Sequence, residues 1–266
     1  MTHHEDGHVD IDALFDVSGK VAVVTGGYRG IGRMITEGLL KAGVRCYITG
    51  RKADQLEEAA EELSEFGEVV AIPGDLSDEA GCKEFAAAVA EQEDEVHILV
   101  NNAGAAWGES IDEYSESGFD KVLAVNVKGV FMMTKSLLPQ LRAAGTHDDP
   151  ARVINIGSID GLSVPALESY AYSASKAGVH HMGRHIASRL AEDHITVNAI
   201  APGLFESNMT AFMFDDLSEN AEEIFPLQRT GRPDDMAGAV LFLASRAGSY
   251  VTGAVIPVDG GSATLR

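Results

Sequence analysis

The stretch VAVVTGGYRGIGRMI, residues 21–35, joins a short apolar run to a helical pattern through a loop with glycines at Gly26, Gly30 and Gly32. A β-branched run followed by glycines and a helix is typical of a buried strand that turns into a helix N-terminus. Such a terminus offers unpaired N–H groups and a positive dipole end, which favour a pyrophosphate, and glycines let the backbone approach it. The spacing Gly-x-x-x-Gly-x-Gly alone also fits a plain tight turn, but the flanking strand and helix favour a dinucleotide site.

Six further apolar runs follow this first one, and amphipathic helical patterns separate them. The runs are Val44–Thr49, Val69–Ile72, Val96–Val100, Val153–Ile156, Ile195–Ile200 and Ala254–Val258. The helical patterns include Asp54–Phe66, Phe119–Leu141 and Met236–Ala244. The runs are continuously apolar rather than alternating, as expected for a parallel sheet covered on both faces. Strand and helix in strict turn predict an α/β, single-domain, Rossmann-type doubly wound fold with a seven-stranded parallel sheet and helices on both faces.

Length and composition suit one large globular domain, because the chain has 266 residues, of which 45% are hydrophobic and 23% charged. Residues 1–17 are predicted to be a loose polar tail, and residues 18–266 to be the domain. No apolar run approaches the roughly 18 residues that span a bilayer, and residues 1–16 lack the charged-then-apolar order of a signal peptide. Cys46 and Cys82 indicate no disulfide framework, so the predicted location is a reducing cytoplasm.

The charge balance is strongly acidic, with 41 acidic against 20 basic residues and a formal net charge of −21. A chain of this charge repels nucleic acid and anionic membranes, so neither is predicted as a partner. Any anionic ligand must therefore be bound by a local cluster of basic residues.

The end of the second apolar run indicates which dinucleotide binds. Folds that bind NAD usually place an acidic residue there to hold the ribose 2′-hydroxyl. Here the run ends in Thr49, Gly50 and Arg51, so the acid is missing and an arginine follows. A second arginine, Arg29, lies in the glycine loop itself, and two guanidinium groups where a 2′-phosphate would lie favour NADP over NAD. The alternative is that both arginines are solvated surface residues.

Residues 169–176, SYAYSASK, offer two tyrosines and one lysine. The segment is predicted to be helical from about Tyr170, and Lys176 lies four residues after Tyr172 but six after Tyr170, so it shares a face with Tyr172. A free phenol has a pKa of about 10, and an adjacent ammonium together with the positive nicotinamide of an oxidised cofactor is expected to lower it. Ser158 ends the apolar run RVINIGS, where it faces the crevice of a doubly wound fold and can donate to a carbonyl oxygen. Tyr170 is expected to be a packing or substrate-wall residue.

Eight motifs together resemble the short-chain dehydrogenase/reductase family over essentially the whole chain after the tail. They are TGGYRGIG, GDLSD, NNAG, LAVNVKGVF, INIGS, YSASK, APG and VDGG, in the family's order and spacing. Within the family, NNAGAAWG, PARVINIGS, the paired YAY and APGLFESNMT resemble 3-oxoacyl (β-ketoacyl) reductases, including the type associated with rhamnolipid pathways. One departure is Ser207, where family members commonly have threonine, and Asp160 adds a carboxylate after Ser158.

The resemblance implies a catalytic tetrad of Asn126, Ser158, Tyr172 and Lys176. Tyr172 would be the acid/base, and Ser158 would polarise the carbonyl. Lys176 would hold the nicotinamide ribose and tune the tyrosine, and Asn126 would position a water that relays protons to the lysine. The implied cofactor-binding residues are Gly26, Arg29, Gly30, Ile31, Gly32, Arg51, Asp75, Leu76, Asn102, Ala103, Gly104, Tyr172, Lys176, Pro202, Gly203, Phe205 and Ser207.

The sequence thus predicts an NADP(H)-dependent carbonyl or 3-oxoacyl reductase with a small-molecule carbonyl substrate, and the resemblance implies a homotetramer. The alternative is a catalytically silent NADP-binding regulatory protein on the same fold, which needs only the glycine loop. Docking of an acyl carrier protein is predicted to be unfavourable, because the segments THDDPAR (146–152) and SRLAEDH (188–194), expected near the rim of the site, are more acidic than basic. No metal site is predicted, since His181 and His185 have i, i+4 spacing without an evident third ligand.

Overall fold

Across residues 9–207 and 209–265, which the computed structural model describes, the chain forms seven strands in one parallel sheet. The strands are β1 (Val21–Thr25), β2 (Arg45–Gly50), β3 (Val69–Pro73), β4 (Ile98–Asn101), β5 (Ala151–Ile156), β6 (Ile195–Pro202) and β7 (Val255–Val258). Their order across the sheet is β3-β2-β1-β4-β5-β6-β7, and each neighbouring pair is parallel. The predicted doubly wound fold is confirmed.

Helices lie between each pair of consecutive strands. The α-helices of the described residues are α1 (Ile11–Phe15), α2 (Gly30–Lys41), α3 (Ala53–Leu63), α4 (Glu79–Ala90), α5 (Glu116–Leu123), α6 (Val130–Ser136), α7 (Leu138–Ala144), α8 (Tyr170–Leu190), α9 (Ala211–Glu219), α10 (Ala221–Ile224) and α11 (Pro233–Ala244). A π-helical turn spans Ala124–Gly129, and short 3₁₀ turns span Ile159–Gly161, Ala191–Asp193, Arg246–Gly248 and Ser262–Leu265. Within the described ranges, no single helix is long and apolar enough to cross a membrane. By length and composition only, one pair of segments in these ranges passes the same test together, with a bend of 55° between them: Glu116–Ser136 and Leu138–Ala144.

The strand order reverses between β1 and β4, which are neighbours in the sheet although β2 and β3 lie between them in the chain. Ala22 of β1 pairs with Cys46 on one side and with Ile98 on the other. In doubly wound sheets, ligands bind in the crevice beyond the carboxyl ends of the strands where the order reverses. The ligand crevice of this chain therefore lies beyond Thr25 and Asn101.

Apolar side chains cover both faces of the sheet. On one face, Val24 belongs to a buried cluster with Ile35 and Leu39 of α2. On the other face, Val23 belongs to a second buried cluster, with Phe85 of α4. Because neighbouring residues of a strand point to opposite faces, both must be apolar when both faces are covered. This explains why the strands read as continuous apolar runs.

The amino-terminal segment differs from the sequence-based prediction. Residues 1–8 of the predicted tail lie outside the described residues. The remainder contains α1, whose start is capped by the Asp10 carboxylate accepting from the Ala13 N–H at 3.2 Å. Val17 is 1% exposed. Over residues 10–17 the prediction of a loose tail is therefore corrected, because a helix cap and a buried side chain fix that part.

The helical pattern over Phe119–Leu141 is divided in the structure. It comprises the end of α5, the π-helical turn, α6 and the start of α7. A π-helical turn is wider than an α-helical one and frequently occurs at functional sites. Here the turn contains Asn126, whose Oδ1 accepts from the Ala105 N–H. It also contains Gly129, which packs so closely on Leu76 that a Cβ would come within 2.5 Å of the Leu76 carbonyl oxygen. The apolar pattern of Phe119–Leu141 predicts one continuous helix and does not place the π-helical turn within it.

Candidate active site

The glycine loop after β1 leaves the first turn of α2 open. Gly26 and Gly30 have φ angles of +66° and +51°, in the left-handed region that glycine tolerates. A Cβ on Gly32 would approach the Gly26 carbonyl oxygen to 2.2 Å, so only glycine allows this tight approach. Arg29, at the N-cap, makes no side-chain hydrogen bond to the helix start. The N–H groups of this turn, which includes Ile31, therefore lack a side-chain cap and suit a phosphate.

Asn102 fastens the glycine loop to the end of β4. Its side-chain amide donates to the carbonyl oxygens of Thr25 at 2.9 Å and Gly26 at 3.2 Å. The Thr25 hydroxyl in turn accepts from the backbone N–H groups of Asn102 and Ala103, both at 2.9 Å. The motif NNAG thus shapes the loop through one side chain and two backbone groups. The sequence alone does not single out Thr25, whose signal is a hydroxyl at the end of an apolar strand.

One tyrosine ring lies against Arg29 and against Gly50, the residue before Arg51. The Arg29 guanidinium lies 5.1 Å from the centre of the Tyr28 ring. The same ring lies against Gly50, where a Cβ would come within 2.4 Å of a Tyr28 ring carbon. Arg51 follows Gly50 directly, and both arginines are exposed. The structure therefore brings Arg29 and Arg51 to the same end of the crevice.

The residues after β3 adjoin this arginine end. The Gly74 N–H donates to the Gly50 carbonyl oxygen at 3.1 Å. The Asp75 carboxylate accepts from the Ser77 N–H at 3.0 Å, and Leu76 is 7% exposed. Asp75 and Leu76 therefore follow β3 at the carboxyl edge of the sheet, and their contact with the adenine stays a prediction.

After β6, the side chain of Phe205 does not match its predicted role in cofactor binding. Pro202 ends β6, and the Gly203 N–H donates to the Val258 carbonyl oxygen at 3.0 Å. The ring of Phe205 packs against Gly231 and is 2% exposed. This side chain is a core residue, so it does not present a surface to a cofactor. Contact by the Phe205 backbone stays a prediction.

Ser207 lies beside the glycine loop. A Cβ on Gly30 would come within 3.0 Å of the Ser207 Cβ. The Ser207 hydroxyl lies 3.0 Å from the Thr210 hydroxyl, which donates to the Phe205 carbonyl oxygen at 2.8 Å. Thr210 therefore holds the Ser207 hydroxyl in place. The sequence alone does not single out Thr210.

Ser158, Tyr172 and Lys176 meet at the carboxyl end of β5. The Ser158 hydroxyl accepts from the Asp160 N–H at 3.1 Å, and this hydroxyl acts on the Tyr172 phenol, whose pKa it lowers. The Lys176 ammonium donates to the Ile156 carbonyl oxygen at 2.8 Å and lies 5.4 Å from the centre of the Tyr172 ring. The structure thus brings these three predicted residues together at the crevice.

Tyr170 lies outside this cluster. Its hydroxyl donates to the Glu168 carboxylate at 3.0 Å, and the side chain is 40% exposed. Its ring packs edge-on against Tyr114, with centroids 5.6 Å apart. The structure therefore agrees with the helical spacing that assigned Lys176 to Tyr172.

Burial has the largest effect on the pKa values of Tyr172 and Lys176. Tyr172 as a whole is half-buried, but its phenol is desolvated, which raises its pKa to about 12 although the Ser158 hydroxyl lowers it. The negative charge of Asp160 raises it further. Burial lowers the pKa of Lys176 to about 8, against an opposing effect of Asp160. In the chain by itself the Tyr172 pKa is thus raised, because desolvation of the phenolate is the largest effect. The lowering expected from Lys176 together with an oxidised nicotinamide stays a prediction.

Asn126 ties the segment after β4 to α8. Its Oδ1 accepts from the Ala105 N–H at 2.8 Å. Its amide donates to the Ala105 carbonyl and to the Ser175 hydroxyl, both at 2.9 Å. Ser175 donates to the Tyr172 carbonyl oxygen at 2.7 Å. Asn126 thus positions the helix that holds Tyr172 and Lys176, and Ser175 is a positioning residue that the motif YSASK contains but does not explain.

A family model described as Enoyl-(Acyl carrier protein) reductase matches residues 26–263, which is most of the chain. The chain belongs to the short-chain dehydrogenase/reductase family. It is 47% identical over 250 residues to the rhamnolipids biosynthesis 3-oxoacyl-(acyl-carrier-protein) reductase of Pseudomonas aeruginosa, covering 93% of this chain and 97% of that protein. It is 38% identical to a galactitol 2-dehydrogenase (L-tagatose-forming) of Cereibacter sphaeroides, covering 95% and 98%. The solved Pseudomonas aeruginosa RhlG/NADP active-site complex has a TM-score of 0.91 at 46% identity, covering 94% of this chain and 99% of that one.

In this short-chain dehydrogenase/reductase, the two acidic segments do not lie at the rim of the crevice. Residues 146–150 precede β5 and residues 191–194 precede β6, so both lie at the amino edge of the sheet. Ser158 lies beyond the carboxyl edge, and the six residues of β5 separate the edges by about 20 Å. Within one copy of the chain, the charges of these segments therefore do not bear on docking at the crevice, which corrects their predicted location.

His180 is a buried residue of α8, directly before His181 in the chain. It is 3% exposed, and a Cβ on Gly157 would come within 2.0 Å of its Nε2. Neither ring nitrogen has a hydrogen-bond partner of good geometry in the described part of the chain. Burial lowers its pKa to about 4, so the ring is neutral at pH 7. Among residues 9–207 and 209–265, no group of three or more His, Cys, Asp or Glu side chains is arranged to hold a metal ion.

Proposed function

We propose that this chain is an NADP(H)-dependent oxidoreductase that transfers a hydride between the nicotinamide and a carbonyl or secondary alcohol. The observation that supports this best is the cluster at the end of β5. There the Lys176 ammonium lies 5.4 Å from the centre of the Tyr172 ring, and the Ser158 hydroxyl acts on the Tyr172 phenol. A neutral phenol next to a serine hydroxyl suits a general acid that protonates an oxygen atom. The relatives named above are oxidoreductases, and the regulatory alternative gains no support from them.

The residues around the glycine loop fit the cofactor. The first turn of α2 has no side-chain cap, and two exposed arginines lie at the end where a 2′-phosphate belongs. The loop glycines with Ile31 would hold the pyrophosphate, and Arg29 with Arg51 the 2′-phosphate. The remaining predicted contacts are Asp75, Leu76, Asn102, Ala103 and Gly104 toward the adenosine, and Lys176, Pro202, Gly203 and Ser207 toward the nicotinamide. When bound, the reduced cofactor supplies the hydride that the substrate carbon accepts.

The chain's own residues handle the oxygen and its proton. Ser158 accepts from the Asp160 N–H, which leaves its O–H to donate to the substrate oxygen. Tyr172 remains protonated at neutral pH, because burial raises its pKa to about 12, so it gives its proton to the forming alkoxide. Lys176 places a positive charge beside the phenolate that results. Asn126 retains an acceptor lone pair on Oδ1, which suits the predicted water relay.

The segment between Ser158 and Tyr172 supports a substrate with an apolar chain. Leu162, Val164 and Leu167 are 45%, 83% and 47% exposed. Large exposed apolar patches commonly mark binding surfaces, and these three exposed side chains belong to one short segment between Ser158 and Tyr172. We therefore favour a 3-oxoacyl thioester, in agreement with the name of the 47% identical relative. A small ketone is the second candidate, because the 38% identical relative is named for a polyol.

A panel of substrates tests this function. Purified protein would be incubated with NADPH and either ketones or 3-oxoacyl thioesters of increasing chain length, and NADPH absorbance followed. We expect turnover that rises with acyl chain length and that the Tyr172→Phe variant largely loses. NADPH binding without turnover of any carbonyl would instead support the regulatory alternative.

We also infer a homotetramer that works in the cytoplasm. The tetramer is what the family resemblance implies. Cys46 and Cys82 are buried free thiols, which suits a reducing compartment. Sedimentation velocity should give a species of four times the chain mass, and a monomer at micromolar concentration would contradict this.

A further inference from the structure

The Tyr28 ring lies between the glycine loop and the end of β2. Its Cε1 and Cδ1 atoms lie 2.4 and 2.8 Å from the position that a Cβ on Gly50 would take. Its ring centre lies 5.1 Å from the Arg29 guanidinium, within the range of a cation–π contact. The side chain is 9% exposed. One ring therefore contacts both of the positions that govern recognition of the adenosine ribose.

Gly50 is a glycine because of this ring and not because of its backbone. Its φ angle lies outside the left-handed region, so the backbone would accept other residues. The obstacle to a side chain is Tyr28, which occupies the space that a Cβ would need. Gly50 is also the last residue of β2, the place where NAD-binding folds carry the acid that holds the ribose 2′-hydroxyl.

We propose that Tyr28 is a positioning residue that sets the coenzyme preference of this chain in two ways. Its ring excludes an acidic side chain from position 50, and its face holds the Arg29 guanidinium at the end of the crevice where β2 leads into Arg51. This inference rests on the proposed NADP(H) function and adds the residue that enforces it. If Tyr28 only filled space in the core under the loop, its replacement would change the stability of the protein but not the ratio of NADPH to NADH affinity.

The first test measures binding directly. Dissociation constants for NADPH, NADH and the fragment 2′,5′-ADP would be measured by calorimetry for wild type, Tyr28→Ser and Tyr28→Phe. Loss of the ring in Tyr28→Ser should weaken NADPH and 2′,5′-ADP by about threefold or more and leave NADH nearly unchanged. Tyr28→Phe keeps the ring face and should keep the wild-type ratio of the two coenzyme affinities. Thermal unfolding of each variant shows that the compared proteins are folded.

A double-mutant cycle with Gly50→Asp tests the exclusion. In the wild-type background the new side chain meets the Tyr28 ring, so NADH should gain little. In Tyr28→Ser the space is free, and the carboxylate that Gly50→Asp introduces can reach a ribose hydroxyl. NADH affinity of the double variant should therefore exceed that of either single variant by about fivefold or more, which is a non-additive effect.

The outcomes separate this inference from the proposed function. Wild type that binds neither NADPH nor 2′,5′-ADP overturns the proposed function, and this inference with it. Wild type that prefers NADPH, with an unchanged affinity ratio in Tyr28→Ser, overturns only the role of Tyr28. Additive effects of Tyr28→Ser and Gly50→Asp on NADH affinity would overturn the exclusion of an acid by the ring.

Discussion

The Lys176 ammonium lies 5.4 Å from the centre of the Tyr172 ring while it donates a hydrogen bond to the Ile156 carbonyl oxygen at 2.8 Å. The lysine is thus held by the end of β5, one helical turn from the tyrosine it serves. Burial raises the pKa of Tyr172 to about 12 and lowers that of Lys176 to about 8. In neutral solution the phenol is therefore a protonated acid beside a charged ammonium, which is the state that carbonyl reduction needs.

Tyr172→Phe should abolish most turnover and leave NADPH binding nearly intact. The substitution removes only the hydroxyl that gives the proton, and general acid catalysis is typically worth about 10²–10⁴-fold. The measurement is kcat for carbonyl reduction together with an NADPH titration.

Tyr170→Phe is the matched control, because it removes a hydroxyl from the same helix. That hydroxyl donates to the Glu168 carboxylate, and the side chain lies at the protein surface. Its loss should reduce turnover far less than Tyr172→Phe does. Equal losses in the two variants would contradict the assignment of Tyr172 as the acid.

The rate of reduction should decline as pH rises above about 8, because the Lys176 ammonium deprotonates there while Tyr172 is still protonated. Asp160 acts on this transition, since its negative charge raises the pKa of Lys176. Asp160→Asn keeps the backbone N–H that bonds Ser158 but removes the charge. The decline should then begin at lower pH, measured as kcat/KM against pH at constant ionic strength. An unchanged profile, or one shifted to higher pH, would exclude this effect of Asp160.

The fold and most of the site follow from local sequence patterns, whereas residues fixed by tertiary packing do not. Glycine spacing and apolar runs are local, so they predict the sheet and the loop, and helical spacing pairs Tyr172 with Lys176. The joining of Ser158 and Asn126 to that pair is what the family resemblance implies. The burial of Phe205 depends on Gly231, which lies far away in the chain. The direction of the Tyr172 pKa shift depends on how much water the fold removes, and sequence spacing reveals only the neighbouring charge.

Arg51→Ala should weaken NADPH much more than NADH. A charge-assisted hydrogen bond contributes about 1.5–3 kcal/mol, so the loss of one to a 2′-phosphate is about tenfold or more in affinity. Arg45→Ala is the control, since Arg45 begins β2 at the opposite edge of the sheet and pairs with Glu68 and Glu93. It should change neither dissociation constant. A wild type that binds NADH more tightly than NADPH would refute this account of the arginines.

Gly157→Ala should destabilise the protein. The new Cβ would come within 2.0 Å of the His180 ring, which is buried and has little room to move. Overpacking of this kind typically costs about 1–3 kcal/mol, seen as a lower midpoint of thermal or urea unfolding. In the double variant with His180→Ala, the clash is removed, so the combined loss should be smaller than the sum of the single losses. If the losses of stability are additive, the side chains at positions 157 and 180 do not clash, and the prediction is refuted.

The last prediction concerns the form in which an acyl substrate arrives. The chain has a formal net charge of −21, and an acyl carrier protein is acidic, so the two should repel at low salt. Charges beyond about 8 Å are largely screened at physiological ionic strength. We expect a higher kcat/KM for a 3-oxoacyl group on coenzyme A than for the same group on carrier protein, because coenzyme A is small enough to need only one or two local positive charges.

Salt and one charge-reversal variant decide whether repulsion is the cause of that difference. If repulsion is the cause, the difference in kcat/KM between the coenzyme A substrate and the carrier-bound substrate should become smaller as ionic strength rises. Like charges that face each other across an interface slow encounter, and salt screens them. Glu192 lies at the amino edge of the sheet and is exposed, so within one copy it is remote from the crevice. Glu192→Lys should raise kcat/KM for the carrier-bound substrate only if a second copy brings that segment to the crevice. A clear preference for the carrier-bound form, strongest at low salt, would show instead that a basic docking surface exists and would refute the prediction.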